Sequence, residues 1–136
     1  AYIKYHGKVQ EANKIFPIVF RAIRGRSSGA PFFNYLDLDP QTQIGDMELC
    51  VPTIEKVNSE SVLIKTIPAR KVLSTVHKGP YEKIMAGYKV LKKYSMDEGI
   101  ELEPGFREIF IKGPGLLIKG NPNNYLTEIQ FVIRED

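Results

Sequence analysis

The chain has 136 residues, 43% hydrophobic and 26% charged, with a single cysteine, Cys50, and no Trp. A chain of this length can fold without a metal or disulfide, and one Cys excludes an internal disulfide and a paired-cysteine zinc or redox site. The formal net charge of +3 is spread along the chain, which is untypical of a nucleic-acid binder, and no apolar run reaches the roughly 20 residues of a membrane span. We therefore expect a soluble, cytoplasmic protein, and a start at Ala1 rather than Met is compatible with a longer parent protein.

The first predicted elements are a short strand and a helix. The β-rich run 2–5 predicts a strand that ends in a turn at His6-Gly7. Apolar residues recur at four-residue spacing over 11–24, which predicts one helix. Pro17 lies inside this helix and is expected to kink it or to delay its start, because proline has no backbone N–H.

The same order of elements then recurs. Two β-rich segments, 32–38 and 46–51, complete a first unit. The second unit is predicted to contain a strand interrupted at Pro68, a helix and two strands, at 62–76, 81–98, 106–112 and 125–133. A turn at 77–80 leads into this helix, Gly99 ends it, and a long glycine- and proline-rich hairpin loop joins the last two strands.

The two halves, about 1–55 and 61–136, can be aligned with each other, with His6 over His77 and Glu11 over Glu82. Such a repeat predicts two similar units related by approximate twofold symmetry. The predicted fold is α+β, with two strand-helix-strand-strand units (a duplicated β-α-β-β) in a single domain, 1–136. Each antiparallel sheet is expected to carry its helix on one face and to contribute the other face to a central ligand groove.

Alternation of side chains along the strands assigns residues to this predicted groove. The groove face is expected to carry three carboxylates and two aromatic rings: Glu48, Glu108, Glu128, Phe106 and Phe110. The helix face is expected to carry Met47, Leu49, Ile109, Ile111, Ile129 and Phe131. Three acidic groups are therefore predicted to converge among aromatic side chains in a protein that is net basic.

A carboxylate removed from water needs a partner, because desolvation penalises its charge. For Glu108 that partner is either a protein group, such as Arg107, Lys65 or a tyrosine hydroxyl, or a bound cation, to which aromatic rings add cation–π attraction. Tyr35 and Tyr125 are candidates for aromatic walls or hydroxyl donors. Packing roles are expected for Tyr5, Tyr88 and Tyr94.

Other chemical motifs are missing from the sequence. It contains no GxSxG, HExxH, Walker or GxGxxG motif, so no cofactor is expected. His6 and His77 are predicted to occupy equivalent turns, without a Cys or carboxylate at metal-ligand spacing, so no metal site is expected. Cys50 is expected to be an inert thiol.

Four segments carry a resemblance to a known family: GDMELCVP, IPARKVLSTVHKGPYEKI, PGFREIFIKGPG and NNYLTEIQFVI. Together they resemble the GyrI-like small-molecule-binding family. This effector-binding domain occurs at the C-terminus of MerR-type and AraC-type transcription regulators and also as a free-standing protein. The resemblance covers nearly the whole chain and implies the duplicated unit described above.

The resemblance also implies a binding site. In multidrug-sensing members, aromatic walls and an inward carboxylate hold lipophilic cations. By position in the matching segments, the carboxylate corresponds to Glu108 of this chain. The aromatic residues correspond to Tyr125 and, near Pro17, to Phe16. The full set of predicted ligand-binding residues is Phe16, Phe33, Tyr35, Glu48, Phe106, Glu108, Phe110, Tyr125 and Glu128.

Two functions remain open. In the first, the chain senses a small hydrophobic or cationic molecule for a transcription regulator, with DNA contacted only through an N-terminal domain that this chain lacks; that missing portion also allows a dimer. In the second, the chain resembles free-standing family members that hydrolyse cyclopropane-bearing toxins, with Glu108 as general base assisted by Tyr35 or Tyr125.

Overall fold

A computed structural model of the chain describes residues 1–113 and 120–135. The chain divides into two compact units, Ala1–Pro68 and a second that begins at Ala69. Within the described ranges, no helix is long and apolar enough to cross a membrane. The middle of the predicted hairpin loop, residues 114–119, lies outside the described residues.

The first unit is a three-stranded antiparallel sheet with helical segments packed on one face. Its elements in chain order are β1 (Tyr2–Lys8), α1 (Val9–Ala12), α2 (Phe16–Ala22), β2 (Phe32–Leu38) and β3 (Ile44–Cys50). The central strand β3 pairs with β1 on one side and β2 on the other. Val19 of α2 and Ile23 at its C-terminal end pack against Val51 and Val62 in a buried core.

The predicted single helix over 11–24 is wrong, because the structure has two shorter helices there. The chain leaves α1 after Ala12 and resumes helical structure at Phe16, with Pro17 in the first turn of α2. A proline in the first turn costs nothing, since that N–H has no intrahelical acceptor, but in the interior it would remove a hydrogen bond. The predicted delay of the helix by Pro17 is therefore confirmed.

Two predicted strand boundaries in this region are also wrong. The first strand does not turn at His6-Gly7 but continues to Lys8, because β3 offers partners along its whole length, including Asp46 opposite His6. The predicted strand at 62–76 begins only at Val72. Before Pro68 the structure shows an isolated bridge between Leu63 and Tyr2 in place of a regular strand.

The second unit repeats the same order of elements. It contains β4 (Val72–Lys78), a 3₁₀ turn (Tyr81–Lys83), α3 (Met85–Asp97), β5 (Phe106–Lys112), a second 3₁₀ turn (Pro122–Asn124) and β6 (Leu126–Val132). Here β6 is central, paired with β4 and β5. Each unit is thus a strand, helical structure and two strands in an antiparallel sheet, which confirms the predicted α+β class and duplicated β-α-β-β order.

Helix α3 lies on one face of the second sheet. Leu91 of α3 packs against Ile129 and Phe131 of β6 in a buried cluster. Gly87 brings the helix close to the sheet, since a Cβ there would lie 2.7 Å from Cδ1 of Ile129. The helix ends at Asp97, and Gly99 follows two residues later with a φ of +66°, which suits a residue without a side chain. The predicted stop signal at Gly99 is therefore confirmed.

The prediction that His6 and His77 occupy equivalent turns is wrong, because both histidines lie within strands. His6 Nδ1 pairs with Asp46 at 2.5 Å on an exposed part of the first sheet. His77 lies on the α3 side of the second sheet, beneath Gly87. Its Nε2 donates to the carbonyl of Pro80 at 3.0 Å, which ties the end of β4 to the following 3₁₀ turn.

Candidate functional site

Glu108 of β5 faces α3 rather than the opposite side of the sheet. Its direct cross-strand neighbour is Ile129, which packs beneath Gly87 of the helix. Directly opposed residues in an antiparallel pair point to the same face. The predicted orientation of β5 is therefore wrong, and Ile109 lies on the other face, opposite Glu128.

The reason for this reversal lies in the size of the side chains. The ring of Phe106 lies 5.3 Å from that of Tyr88 on α3 and 5.7 Å from that of Phe131 on β6. On β5, the rings of Phe106 and Phe110 offer more apolar surface to this face than Ile109 and Ile111 would. Alternation had correctly placed Phe106, Glu108 and Phe110 on one face; the helix covers that face.

Glu108 is buried, with 9% of its surface exposed, and has a polar partner on the helix. The hydroxyl of Tyr88 donates a hydrogen bond to Glu108 Oε2 at 2.7 Å. A tyrosine hydroxyl was among the expected partners, but Tyr88 itself was expected only to pack. Lys65, another expected partner, instead binds Glu48 in the first unit.

Aromatic rings surround this carboxylate on the α3 side of the sheet. We call the following set the α3-face cluster: Tyr81, Tyr88, Phe106, Phe110, Tyr125 and Phe131. Tyr88 meets Phe131 edge-on at 6.0 Å between centroids, while Tyr81 lies 5.8 Å from Phe110 and 5.2 Å from Tyr125. The ammonium of Lys92 lies 4.7 Å above the centroid of Phe131. One ring of the cluster therefore already binds a cation through its face.

The hydroxyl of Tyr81 is strongly biased toward its neutral form. Burial, with smaller contributions from the charges of Tyr125 and Glu108, raises the pKa of Tyr81 to about 12. Tyr81 therefore brings a ring and an uncharged hydroxyl to the cluster, and Glu108 brings negative charge.

The predicted convergence of three acidic groups on one surface is wrong, because Glu128 does not share the face of Glu108. Glu128 lies on the opposite face of the same sheet, where the side-chain amide of Gln130 donates to it at 2.6 Å. Glu48 belongs to the first unit and faces away from α2. Regular alternation on β3 and β6 separates both residues from the helix-covered faces.

Glu48 forms a closed ionic network of its own. Lys65 Nζ lies 2.6 Å and 2.7 Å from its two carboxylate oxygens, and the amide of Asn34 donates at 2.8 Å. Burial acts to raise the pKa of Glu48, but the hydrogen bonds from Lys65 and Asn34, with the charges of Lys65 and Lys4, outweigh it, and the pKa is lowered. This arrangement is typical of a satisfied structural ion pair.

The remaining predicted site residues form a second aromatic group, in the first unit. Phe16 of α2 stacks on Phe33 of β2, with centroids 5.2 Å apart and ring planes within 9°. Phe33 meets Tyr35 edge-on at 5.9 Å. The structure thus brings Phe16, Phe33 and Tyr35 together beside α2. Glu108, Phe106, Phe110 and Tyr125 lie together beside α3.

Three members of the α3-face cluster were missed as site residues. Tyr81 follows Pro80 in the HKGPY segment, and Tyr88 follows Tyr81 by seven residues, a helical spacing that places both on one side of the helical segment. Phe131 was assigned to packing. Correct assignment of the helix-covered face would have identified all three. Across residues 1–113 and 120–135, no group of three or more His, Cys, Asp or Glu is placed to hold a metal ion.

The fold is shared with proteins of known structure. No protein-family model matches the sequence, and a search of curated proteins finds no match. The crystal structure of the EcmrR C-terminal domain matches with a TM-score of 0.82 and 24% identity, covering 99% of this chain and 90% of that one. In the cryo-EM structure of the EcmrR–DNA complex the match has the same TM-score at 23% identity, and this chain spans 53% of the EcmrR chain.

Two further structures share the fold at lower similarity. A hydrolase encoded by lin2189 from Listeria innocua matches with a TM-score of 0.65 and 13% identity, over 98% of this chain and 85% of that one. SAV2435 bound to tetraphenylphosphonium matches with a TM-score of 0.55 and 14% identity, over 98% and 90%. The chain therefore shares its fold with these proteins, which agrees with the fold that the sequence resemblance implies.

Proposed function

We propose that this chain is a small-molecule-binding domain that takes lipophilic aromatic cations at the α3-face cluster, with Glu108 as the counter-charge. The observation that carries this proposal is a buried carboxylate surrounded by aromatic rings on one face of a sheet. Charge, ring faces and apolar surface are the three features that such a cation needs.

The electrostatics of the cluster favour a cation over a neutral ligand. Glu108 receives a hydrogen bond from the neutral hydroxyl of Tyr88, and an ion inside an apolar site gains more from an opposite charge than from a dipole. Lys92, above the ring of Phe131, is a protein cation already placed at the margin of the cluster. SAV2435, which shares the fold, has been solved with tetraphenylphosphonium, and this ligand is a lipophilic aromatic cation of the proposed class.

We further propose that ligand binding here regulates transcription within a longer protein. This chain corresponds to 53% of EcmrR in the DNA complex, so DNA would be contacted by a part of the protein outside this chain. The whole protein would act in the cytoplasm. The 136 residues would act as one effector-binding domain. The ligand can shift such a regulator only by the difference between its affinities for the two states.

Hydrolysis of a cyclopropane-bearing toxin is the second candidate. The hydrogen-bonded pair of Tyr88 and Glu108, 2.7 Å apart, supports it, because a carboxylate can accept a proton from water while a tyrosine donates one. Tyr125 lies in the same cluster through its contact with Tyr81. Ring-opened product that forms with the wild-type protein and disappears with Glu108→Gln would support this activity.

Replacement of Glu108 tests the binding function. We expect Glu108→Gln to weaken tetraphenylphosphonium binding about 10- to 100-fold, equivalent to roughly 1.4–3 kcal/mol, because the substitution keeps the shape and removes the charge. Isothermal titration calorimetry measures the affinity, and circular dichroism checks that the fold is intact.

Glu128→Gln is the matched control for this experiment. It makes the same change on the neighbouring strand but on the face away from α3, so tetraphenylphosphonium should bind it as tightly as it binds the wild-type protein. An unchanged affinity in a folded Glu108→Gln variant, or an equal loss in both variants, would place the cation somewhere other than the α3-face cluster.

A further inference from the structure

Thr127 is a buried polar residue that the proposed binding mode has not yet used. It lies on β6, directly opposite Phe110 of β5 and His77 of β4, and two residues before Ile129. Its side chain is therefore on the α3 side of the sheet. The residue is fully buried, and its Oγ1 has no hydrogen-bond partner among the residues that the structure describes.

A hydroxyl in this position destabilises the protein unless something binds it. Buried polar groups are almost always hydrogen-bonded, since an unmade bond leaves the desolvation cost uncompensated. Neither cross-strand neighbour meets this need: Phe110 has no polar side-chain atom, and no hydrogen bond joins His77 to Oγ1 of Thr127. Valine has nearly the same shape and a higher preference for strands, so packing alone gives no reason for a threonine.

The hydroxyl lies beside the aromatic rings of the α3-face cluster. Phe110, across the strand from Thr127, contacts the ring of Tyr81, and Tyr81 contacts Tyr125, two residues before Thr127 in the sequence. Tyr81 is only half-buried and stands on a three-residue 3₁₀ turn rather than on α3. Its hydroxyl lies against Gly113 at the end of β5. A ligand that displaces the ring of Tyr81 would therefore meet Thr127 next.

We propose that the Thr127 hydroxyl is a hydrogen-bonding subsite that selects, among lipophilic cations, those that also carry an uncharged polar group such as a hydroxyl or carbonyl. This inference rests on the proposed function: Glu108 and the rings supply affinity for the cation, and Thr127 supplies discrimination. A threonine hydroxyl both donates and accepts, so either kind of ligand group satisfies it.

Four phosphonium cations test the subsite: tetraphenylphosphonium and the ortho, meta and para isomers of triphenyl(hydroxymethylphenyl)phosphonium. They share one positive charge and the same tetraphenylphosphonium framework, and the position of the hydroxymethyl group varies its reach. At least one isomer should bind the wild-type protein about two- to tenfold more tightly than tetraphenylphosphonium, the range of a neutral hydrogen bond. In Thr127→Val this preference should vanish, while affinity for tetraphenylphosphonium stays within about twofold.

Two more variants separate a subsite from a packing effect. Thr127→Ser keeps the hydroxyl and should keep the preference. Thr75→Val makes the same change on β4, opposite Ile129 on the same face of the sheet, and should leave the preference unchanged. The melting temperature of Thr127→Val without ligand should equal or exceed that of the wild-type protein, because the uncompensated hydroxyl is gone.

The outcomes distinguish this inference from the proposed function. If the wild-type protein does not bind tetraphenylphosphonium, the proposed function fails and the subsite fails with it. If tetraphenylphosphonium binds through Glu108 but no isomer binds more tightly, or the preference survives in Thr127→Val, only the subsite is overturned.

Discussion

Glu48 and Glu108 are both buried carboxylates, yet their neighbours assign them different roles. Glu48 is closed off by a lysine ammonium and an amide, so its charge is balanced within the first unit. Glu108 accepts a hydrogen bond from the hydroxyl of Tyr88 and lies among aromatic rings. At the scale of single residues, the surroundings as well as the burial distinguish these two carboxylates.

The raised pKa of Tyr81 makes a prediction for alkaline solution. Its pKa rises from 10.0 to about 12 on folding, so its contribution to stability is complete below pH 10 and is lost as the pH rises from about 10 to about 12. Tyr81→Phe should lose less free energy of unfolding over this interval than the wild-type protein. The difference is about 1 kcal/mol, because solvent screening of a half-buried ring reduces the full effect.

Urea denaturation at several pH values measures this difference, and ultraviolet absorbance follows tyrosinate formation directly. Tyr94→Phe, at a ring that is 51% exposed on the outer side of α3, is the matched control and should lose stability with pH as the wild-type protein does. Equal alkaline losses in the wild-type and Tyr81→Phe proteins would contradict the burial of the Tyr81 hydroxyl.

At the scale of elements, the close packing of α3 against its sheet depends on one glycine. Gly87 lies over Ile129, Thr75 and His77, and a Cβ there would come within 2.7 Å of Ile129 Cδ1. A glycine inside a helix costs up to about 1 kcal/mol relative to alanine. The close approach of the helix offsets that cost by bringing Leu91 and Tyr88 onto the sheet.

This contact predicts a coupling between two positions. Gly87→Ala should destabilise the protein by about 1–2 kcal/mol, because overpacking against a fully buried side chain outweighs the gain in helix propensity. In an Ile129→Val background, which lacks Cδ1, the same Gly87→Ala change should be neutral or stabilising. A double-mutant cycle by chemical denaturation measures the coupling, and additive effects would argue against the close approach.

At the scale of the whole molecule, the net charge opposes the proposed ligand. The chain carries a formal charge of +3, so at long range it repels a cation. The attraction comes from Glu108, which is buried and acts over a short distance. Salt screens long-range interactions between exposed charges far more than it screens a buried contact.

Binding of tetraphenylphosphonium should therefore not weaken as salt is added. Between about 0.05 M and about 0.5 M sodium chloride, we expect a dissociation constant that is unchanged or slightly lower, since screening removes the repulsion and leaves the buried contact. Titrations across this range measure it. A dissociation constant that rises about tenfold would indicate binding to exposed carboxylates on the surface.

Much of the local structure of this protein could be predicted from its sequence. The strands predicted at 32–38 and 106–112 have the predicted bounds, because β-rich residues there stand between turn-forming ones. The delay of α2 by Pro17 and the stop signal at Gly99 after α3 likewise follow from covalent properties of proline and glycine. Alternation also placed Phe106, Glu108 and Phe110 on one face without any knowledge of the fold.

Only the tertiary structure decided whether α3 covers the face that carries Phe106, Glu108 and Phe110. Alternation has the same form whichever side a helix covers, and the choice depended on how Phe106 and Phe131 pack against Tyr88. The partner of Glu48, Lys65, comes from an irregular segment that no periodic pattern describes. Residues far apart in the chain become neighbours only when the core closes, so the sequence determined the order of the elements and the sharing of faces, and packing determined the composition of the site.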